Sequence, residues 1–411
     1  MIPAMITLRI IAVAALATTA ARAIEYSAWK QRSHGAETVD TGVVNVKEYG
    51  AIGDGTAVDT ASIQRALDSL TPGQTLLIPP GTYLASELLV PEVADITIAG
   101  TGGGGGMGGG TGGGTNHSSV LRLAPHSGGR FVLATVGYAR NFTWTGPPLS
   151  IVDLAFAGPG ANATTDTGPA GAVLMAWSSR IARCRFTGFG RAGLLVAAAN
   201  MAGATIATTQ VNSRYESNVF DNNAGDGFRI LDPARNKNTD YFLINSFAFG
   251  NDGAGFHLDT TAGALISGNH LYGQKAGSFD VEINIGSMAL RFVDNYLEGA
   301  LGLRISTMNA GVGVIATGNC FEGVADVTAN DGNATLMSAG NSFGRPCAGG
   351  GCMRLAGNRG HTLVVTSVGD RFAGAGPSFS ASGSVEVLTA PLAPAPAGMV
   401  DRSVGLRERQ D

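Results

Sequence analysis

An Asn-x-Φ triplet, in which Φ is a large apolar residue, recurs through the second half of the chain at intervals of 22 to 27 residues. Its six copies begin at Asn218, Asn245, Asn269, Asn295, Asn319 and Asn341. Weaker copies begin at Cys184 and Asp370. A fixed period in this range is typical of stacked-repeat architectures, in which each unit buries its apolar face against its neighbours. The sequence therefore predicts a solenoid.

The composition of each repeat indicates which kind of solenoid this is. The units contain short alternating segments, such as 227–230 and 255–258, that Gly, Asn and Asp residues interrupt. Such segments are typical of strands, whereas helical repeats need longer amphipathic stretches, which do not occur here. About 24 residues fit one turn of a parallel β-helix, so the Asn residues should stack at a turn, roughly 4.8 Å apart. We interpret the Asn column as structural.

The ends of the chain indicate its compartment. Residues 1–23 resemble a secretory signal peptide, with Arg9, an apolar run at 10–17 and an A-x-A site at 21–23. The run is too short to span a membrane. Removal of Arg9 and Arg22 would change the formal charge from −4 to −6 (−4 − 2), which argues against a nucleic-acid partner. We therefore expect a secreted or periplasmic protein with neither a nucleic-acid nor a membrane partner. Its oligomeric state is left open.

The sequence divides into a solenoid domain and flanking segments. Residues 24–41 are predicted to be a loose lead-in, 42–390 the β-helix domain and 391–411 a disordered tail after a Pro-rich linker. A Gly-rich stretch at 100–115 reads as a loop inserted between coils. Cys347 and Cys352 flank a flexible connector and are compatible with a small disulfide loop.

The segment 44–67 is the most specific in the sequence. A short strand leads into an Asp-Gly turn at Asp54, and Asp59 or Thr60 is then predicted to cap a helix. The residues that share one face of this helix are Ile63, Ala66, Leu67 and Leu70. A turn and a further strand follow at 79–84.

This segment resembles the N-terminal signature of the pectate-lyase-like (pectin-lyase superfamily) right-handed β-helix proteins, in its rhamnogalacturonase/epimerase-like form. It departs from the usual form at Glu48 and at Ala57-Val58. The resemblance implies an all-β solenoid: a single-stranded, right-handed parallel β-helix with an N-terminal capping α-helix. The signature occurs in hydrolases, lyases, epimerases and phage tailspikes, so it does not fix an activity.

Alignment of the repeats on their Asn residues predicts an outward column of side chains, one per coil. The column is Leu195, Arg229, His257, Asp280 or Glu282, Arg304 and Thr328. The functional interpretation is a site for an acidic sugar, in which the two Arg residues bind uronate carboxylates. His257 or an Arg would transfer a proton, and the acid would act as general acid or bind a cation such as calcium. The alternative is that these charges only solubilise the face.

A second column follows each Asn by three residues, and its members are Asp221, Ala248, Tyr272, Glu298, Glu322 and Gly344. Glu298 and Glu322 fall on adjacent coils, and paired carboxylates are what glycoside hydrolysis requires. We expect Tyr272 and Asp259 to contact substrate at the edge of the cleft.

The resulting hypothesis is a secreted carbohydrate-active enzyme, a lyase or a hydrolase, that cleaves an acidic polysaccharide. Its catalytic candidates are His257, Arg304, Glu282 and Asp280, and Arg229 would bind substrate. No cofactor is assigned with certainty, and calcium is left open. The alternative is a non-catalytic polysaccharide-binding or structural β-helix. A binder should carry an aromatic strip, and with 7% aromatic residues the sequence shows none aligned in one outward column.

Overall fold

The computed structural model describes residues 42–102, 118–160, 168–286, 289–308, 313–344, 352–373 and 379–390. Within them the chain winds into a right-handed parallel β-helix, and the predicted fold is confirmed. The signal segment, the lead-in, most of the Gly-rich loop, Cys347 and the C-terminal tail lie outside the described residues. The signal peptide and the secretion that it implies therefore stay predictions.

Each coil contributes strands to three parallel stacks, here called sheets I, II and III in the order in which the chain visits them. Sheet I contains β1 (Val43–Asn45), β3 (Thr75–Leu77), β6 (Ile96–Ala99), β9 (Leu149–Val152), β12 (Arg180–Ala182), β16 (Arg214–Glu216), β20 (Phe242–Ile244), β23 (Leu265–Ser267), β26 (Arg291–Val293), β29 (Gly313–Thr317) and β32 (Ala334–Ala339). Sheet II contains β2 (Asp54–Val58), β4 (Gly81–Ala85), β7 (Ser119–Leu123), β10 (Ala155–Ala157), β13 (Arg185–Thr187), β17 (Val219–Asp221), β21 (Phe247–Phe249), β24 (His270–Tyr272), β27 (Tyr296–Leu297), β30 (Cys320–Phe321), β33 (Ser342–Phe343) and β35 (Arg371–Phe372).

Sheet III contains β5 (Leu88–Val90), β8 (Phe131–Thr135), β11 (Ala170–Leu174), β14 (Ala192–Ala197), β18 (Asp226–Leu231), β22 (Phe256–Leu258), β25 (Val281–Gly286), β28 (Leu301–Met308) and β31 (Val324–Ala329). The long strands β34 (Met353–Val368) and β36 (Phe379–Ala390) pass through both sheet III and sheet I and join them at the C-terminal end. A separate pair, β15 (Gln210–Val211) and β19 (Asn238–Thr239), lies in the connections between sheets III and I.

Alternate side chains of every strand point into the solenoid and form its core. Large apolar side chains at equivalent positions of successive coils stack on one another, because parallel coils in register repeat each position at the strand spacing. On sheet II the rings of Phe156 and Phe186 are 4.9 Å apart, and those of Phe321 and Phe343 are also 4.9 Å apart. Cys184 is fully buried.

An α-helix closes the N-terminal end of the core. A 3-10 helix (Val46–Tyr49) precedes it, and α1 (Thr60–Asp68) follows β2 and takes the place that a strand of sheet III would occupy in this coil. Its buried residues are Ile63, Ala66 and Leu67. Gln64 acts as a strand neighbour for β5, because its side-chain amide accepts a hydrogen bond from the Leu89 N–H (2.8 Å) and donates one to the Leu89 carbonyl (2.9 Å). This pair satisfies an edge that would otherwise be open.

Asp59 has a different role from the predicted helix cap. It lies at the N-cap position of α1, but its carboxylate makes no capping hydrogen bond. Instead it accepts hydrogen bonds from the N–H groups of Ile52 (2.6 Å) and Gly53 (3.1 Å) and fixes the loop before β2. Gly53 has φ +71° and lies against the Tyr83 ring, where an added Cβ would be 2.5 Å from the ring.

The Asn column forms a continuous hydrogen-bonded ladder before sheet II. In each of Asn269, Asn295, Asn319 and Asn341, the side-chain Nδ2 donates to the acceptor oxygen of the next coil at 2.9–3.0 Å. The last acceptor is Asp370, a carboxylate that needs no donor of its own. The structural interpretation of the column agrees with this geometry.

The predicted position of one ladder residue is wrong by one residue in the sequence. Ser246, not Asn245, occupies the ladder position, because its hydroxyl accepts from the Asn218 N–H and its N–H donates to Asn269 Oδ1. Asn245 is exposed and has φ +51°, the left-handed conformation that the residue before each ladder position adopts. Asn tolerates this conformation better than most residues, which explains why it stands there.

Cys352 is disulfide-bonded, whereas Cys184 and Cys320 are free. In the part of the chain that the structure describes, no helix has the length and apolar character needed to cross a membrane.

Candidate functional site

The outer face of sheet III divides into an apolar half and a charged half. Strand register defines one outward column from β5 to β34. Its first four members are apolar and the next six are charged or titratable, in the order Leu89, Ala134, Val173, Leu195, Arg229, His257, Glu282, Arg304, Asp326 and Arg354. The open choice between Asp280 and Glu282 is therefore resolved in favour of Glu282. Asp326 occupies the place predicted for Thr328, which lies one outward position farther along β31.

A layer of loops covers the apolar half. We call it the apolar cover, and it is formed by Tyr138 of α2 (Val136–Ala139) together with Ala198, Met201 and Ile206. These side chains pack on the outward residues of sheet III, including Leu195. The cover ends where the charged residues begin, so it forms a wall at one end of an open charged face.

His257 is held between two polar groups at the start of the charged half. Its Nδ1 lies 3.1 Å from Asp226 Oδ2, and its Nε2 lies 3.2 Å from Asn284 Nδ2. Asp226 Oδ2 also accepts a hydrogen bond from Arg229 at 3.1 Å. Because an amide NH₂ can only donate, the partners favour the tautomer with the proton on Nδ1 and a lone pair on Nε2. The arrangement orients a ring nitrogen that can accept a proton.

The same network continues to two further aspartates. Asn284 donates a second hydrogen bond to Asp259 Oδ1 at 2.8 Å. Asp259 Oδ2 accepts from the backbone N–H of Asp232 at 2.8 Å. Asp259 was predicted as a substrate-binding residue. The structure places it two residues after His257 on the same outer face of sheet III, and both side chains contact Asn284.

The surroundings of His257 have opposing effects on its pKa. Burial is the largest single influence and lowers the pKa, and the charge of Arg229 acts in the same direction. The hydrogen bond and charge of Asp226, with a smaller contribution from Glu282, outweigh them and raise the pKa above its usual value of 6.5. The balance of these effects leaves the pKa of His257 raised, and a histidine held by a carboxylate in this way suits proton transfer.

Arg304 lies two coils beyond His257 and contacts both an acid and a ring. Its guanidinium is 3.3 Å from Glu282 Oε1 and 4.0 Å from the centroid of the Phe279 ring. Its side chain remains 42% exposed, so it can still bind an anion from solvent. The planar guanidinium matches a carboxylate in two parallel hydrogen bonds.

Asp326 and Arg354 continue the charged column and were not predicted. Arg354 approaches Asp326 Oδ1 only to 3.8 Å, and this oxygen is buried without a hydrogen-bond partner among the described residues. Burial raises the pKa of Asp326, although Arg354 and Arg304 act against that shift. Arg354 could have been found from the sequence, because it is flanked by the buried, apolar Met353 and Leu355 in the alternation of a strand.

Two recesses along this face meet at Ser306. A cleft of about 570 Å³ runs along the side of sheet III that faces sheet I, and its lining includes Asp232, Arg235, Asp259, Asn284, Asn330 and Arg359. A recess of about 410 Å³ lies over the later coils, and its lining includes Arg304, Asp326, Thr328, Arg354, Ser380 and Ser382. Together they give the charged half of the face the shape of a polar groove.

Asp280 lies apart from this groove. Its side chain is fully buried at the turn before β25, where Oδ2 accepts a hydrogen bond from the Gly299 N–H at 2.7 Å. Burial raises its pKa to about 7, against the effect of hydrogen bonds from Gly299 and Gln274. It ends a second column of amides, Asn223, Asn251 and Gln274, in which each side chain donates to the next. The sequence analysis did not identify this column.

Tyr272 lies on sheet II, not on sheet III, within an aromatic strip. Its ring stacks on Phe249 at 5.0 Å with an interplanar angle of 8°, and the rings of His270 and Tyr296 stack at 4.7 Å. Phe247 precedes His270 in the same column. The expectation that no outward column aligns aromatic residues is therefore wrong. Ala248 of the predicted second column points inward and is buried, and Phe249 takes its place.

No three His, Cys, Asp or Glu side chains in the described ranges converge in an arrangement that could hold a metal ion. Calcium binding thus stays an expectation.

Comparisons with known proteins agree with this architecture. The chain is 28% identical to mannuronan C5-epimerase AlgE3 of Azotobacter vinelandii over 240 residues, which are 51% of this chain but only 12% of that protein. The catalytic unit of a GH87 α-1,3-glucanase from Streptomyces thermodiastaticus superposes with a TM-score of 0.54 at 12% identity, over 87% of this chain and 70% of that one. The AlgE6 A-module from A. vinelandii gives a TM-score of 0.45 at 19% identity, over 85% and 100%.

A family model described as rhamnogalacturonase A/epimerase, pectate lyase-like, matches residues 43–279, which include the N-terminal signature, β18 and β22. The match covers more than half of the chain. The protein is therefore a member of the rhamnogalacturonase A/epimerase, pectate lyase-like family.

Proposed function

We propose that this chain is an enzyme that acts on a uronate-containing polysaccharide and that His257 removes the proton from C5 of a bound uronate. The observation that carries the proposal is the position of His257, which is oriented by Asp226 and Asn284 and lies between Arg229 and Arg304 in the charged column. The family and the epimerase relative support an action on polysaccharides. The alternatives raised by the sequence, a lyase or a hydrolase, differ in which of these groups react.

The charges of the groove support proton abstraction next to a carboxylate. Removal of the C5 proton places negative charge on the uronate carboxylate, and Arg229 or Arg304 would stabilise that charge. The Nε2 lone pair of His257 accepts the proton, and Asp226 stabilises the resulting imidazolium. Glu282 and Asp259 lie beside this position as further acids of the groove.

The fate of the carbanion decides the product. If the bond from C4 to its glycosidic oxygen breaks, the electron pair of the C5–H bond forms the C4–C5 double bond. The oxygen leaves with the C4–O electron pair and takes a proton from the His257 imidazolium or from water, which gives the hydroxyl of a new chain end. This is a lyase reaction. If a proton returns to the opposite face of C5, the sugar is epimerised and the chain stays intact. Both outcomes share the step assigned to His257, and we propose the lyase outcome because the reaction then needs no second proton donor at C5.

The test is incubation of the protein with a panel of polyuronates in deuterated water, with and without calcium. Ultraviolet absorbance reports the unsaturated product, reducing ends report cleavage, and NMR reports deuterium at C5. For the lyase we expect absorbance and reducing ends without deuterium at C5, because C5 of the unsaturated product carries no hydrogen. His257→Gln and Arg304→Ala should abolish both signals. Arg180→Ala serves as the control, because Arg180 is an outward, ion-paired arginine of sheet I.

Other results would redirect the assignment. Deuterium at C5 without cleavage would identify an epimerase that uses the same base. Reducing ends without unsaturation would indicate hydrolysis, refute the role of His257 and direct attention to the carboxylates. Binding without any reaction would refute the enzyme.

A second candidate function is polysaccharide binding without catalysis, and the aromatic strip on sheet II favours it. Tyr296 is the last ring of its column, because Cys320 and Ser342 follow it on the next coils. It is 37% exposed, and a sugar ring can stack on the face that His270 does not cover. Loss of polysaccharide binding in Tyr296→Ala, with binding retained in His257→Gln, would support this alternative.

A further inference from the structure

The recess over the later coils of sheet III contains a charged pair with an unused hydrogen-bonding site. Among the described residues, the buried Asp326 Oδ1 has no hydrogen-bond partner, although arginines stand on both neighbouring coils. Arg354 Nη1 is 3.8 Å from this oxygen, beyond hydrogen-bonding distance. Buried carboxylate oxygens normally accept hydrogen bonds, so this one requires a donor that the described residues do not supply.

The shape and lining of the recess indicate the type of donor. Its volume is about 410 Å³, and Ser306, Thr328, Ser380 and Ser382 line it together with the charged pair. Hydroxyl groups and opposite charges along one wall suit a ligand with both hydroxyls and a carboxylate. Arg354 is 42% exposed and only loosely paired, so it can bind that carboxylate.

The recess lies too far from His257 to bind the same sugar ring. Asp326 follows His257 by three coils in the outward column, which corresponds to roughly 14 Å at the strand spacing of a sheet. Ser306 lines both this recess and the neighbouring cleft, whose lining includes Asn284, the hydrogen-bond partner of His257. A polymer bound at His257 and extended along the solenoid axis would therefore place a different sugar residue at Asp326.

We infer that this recess is a separate uronate subsite, in which Asp326 accepts a hydrogen bond from a free sugar hydroxyl while Arg354 binds the carboxylate. This inference rests on the proposed function and adds a specificity to it. A sugar whose hydroxyl is O-acetylated cannot donate to Asp326 Oδ1 and leaves that oxygen buried without a partner. A site built to accept a substrate hydroxyl discriminates strongly against analogues that lack it. The subsite thus selects unsubstituted uronate residues.

The test compares short and long oligouronates, each unsubstituted or O-acetylated. Disaccharides reach only the region of His257 and Arg304, whereas hexasaccharides extend to Asp326. We expect Asp326→Ala and Arg354→Ala to lower kcat/KM for the unsubstituted hexasaccharide at least tenfold, mainly through KM, and to leave the disaccharide unchanged. Asp326→Ala should also lose the preference for the unsubstituted hexasaccharide. Arg371→Ala is the control, since Arg371 is an exposed arginine of sheet II.

Calorimetric binding of the same oligosaccharides separates this inference from the proposed function. If the protein binds hexasaccharides in a manner that depends on Asp326 but converts none of them, the subsite stands and the proposed reaction fails. Equal losses for short and long ligands in the Asp326 variant would overturn the subsite, as would unchanged binding of the hexasaccharide. Asp326→Asn retains the size of the side chain and guards against misfolding of the Ala variant. Absence of binding by the wild-type protein would overturn both proposals.

Discussion

Replacement of Asn295 by Ala tests whether the Asn ladder stabilises the solenoid. Asn295 Oδ1 accepts hydrogen bonds from the Asn269 N–H (3.1 Å) and from Asn269 Nδ2 (2.9 Å). Asn295 Nδ2 donates to the Ile266 carbonyl (2.9 Å) and to Asn319 Oδ1 (3.0 Å). The residue is 1% exposed, so water has little access to the groups that would lose their partners.

The expected loss follows from these four contacts. A buried donor left without an acceptor, here the Asn269 N–H, costs about 1–3 kcal/mol, and each of the other three bonds contributes about 1 kcal/mol. Because some relaxation accompanies the change, we expect the free energy of unfolding to fall by about 4 kcal/mol. Urea unfolding followed by circular dichroism measures this change through the midpoint and the slope.

The matched control is Asn245→Gly. Asn245 is exposed and has positive φ, and Gly adopts that conformation without strain, so we expect a change within about 1 kcal/mol. If the unfolding midpoint of Asn295→Ala coincides with that of Asn245→Gly, the ladder contributes no more than an exposed turn residue. That result would refute the reasoning.

Three further changes test other parts of the molecule. Asp226→Asn should lower the pKa of His257, because burial and Arg229 are then opposed only by the smaller effect of Glu282. The acidic limb of the kcat/KM profile should move to lower pH, and an unchanged limb would exclude His257 as the base. In the wild type the free energy of unfolding should fall as the pH rises from 3.8 to about 7, because over this range the folded state binds more protons than the unfolded chain. Asp280→Asn should flatten this fall, and unfolding curves recorded at several pH values would show it. Gln64→Ala should speed hydrogen exchange at the Leu89 amide selectively, whereas uniform acceleration would contradict its role as an edge partner.

The fold could be predicted because two independent signals agree. The repeat period follows from the physical length of a coil, and the signature at 44–67 places a helix at one end of the stack. The structure shows why the signature residues occur there: Asp59 fixes the loop, Gln64 pairs with β5, and Tyr83 packs on Gly53. These interactions are local to the end of the solenoid. They therefore carry no information about the groove.

The aromatic strip was missed because of a one-residue error in register. Alignment on Asn245 instead of Ser246 exchanges inward and outward positions for the whole of β21. Ala248 is then assigned to the outside, and Phe247 and Phe249, whose rings contact rings of the next coil, are assigned to the core. A Ser in place of an Asn was enough to cause the error, since both supply the oxygen that the ladder needs.

The charged column was predicted correctly as far as Arg304, and beyond that residue the prediction failed for a geometric reason. The register of β28 and β31 shifts between Leu301 and Leu303, so that Leu303 pairs with Ala325 and Arg304 with Asp326. The turn before β31 is also one residue shorter than the turn before β28. Together these changes shift the residue that pairs with Arg304 by two positions, from the predicted Thr328 to Asp326. Because the shift is an even number of residues, Thr328 still points outward. Neither change has a signature in the sequence.

Asp280 and Asp370 show why an acid in a repeat is not in itself evidence of catalysis. Each ends a column of side-chain amides that donate in one direction along the solenoid, Gln274 to Asp280 and Asn341 to Asp370. An amide at the end would leave its own NH₂ without an acceptor, whereas a carboxylate only accepts. The raised pKa of Asp280 then reflects burial at a structural terminus, with both oxygens engaged. His257 differs because its Nε2 has a single amide contact, to Asn284, which lines the cleft and which a substrate can replace.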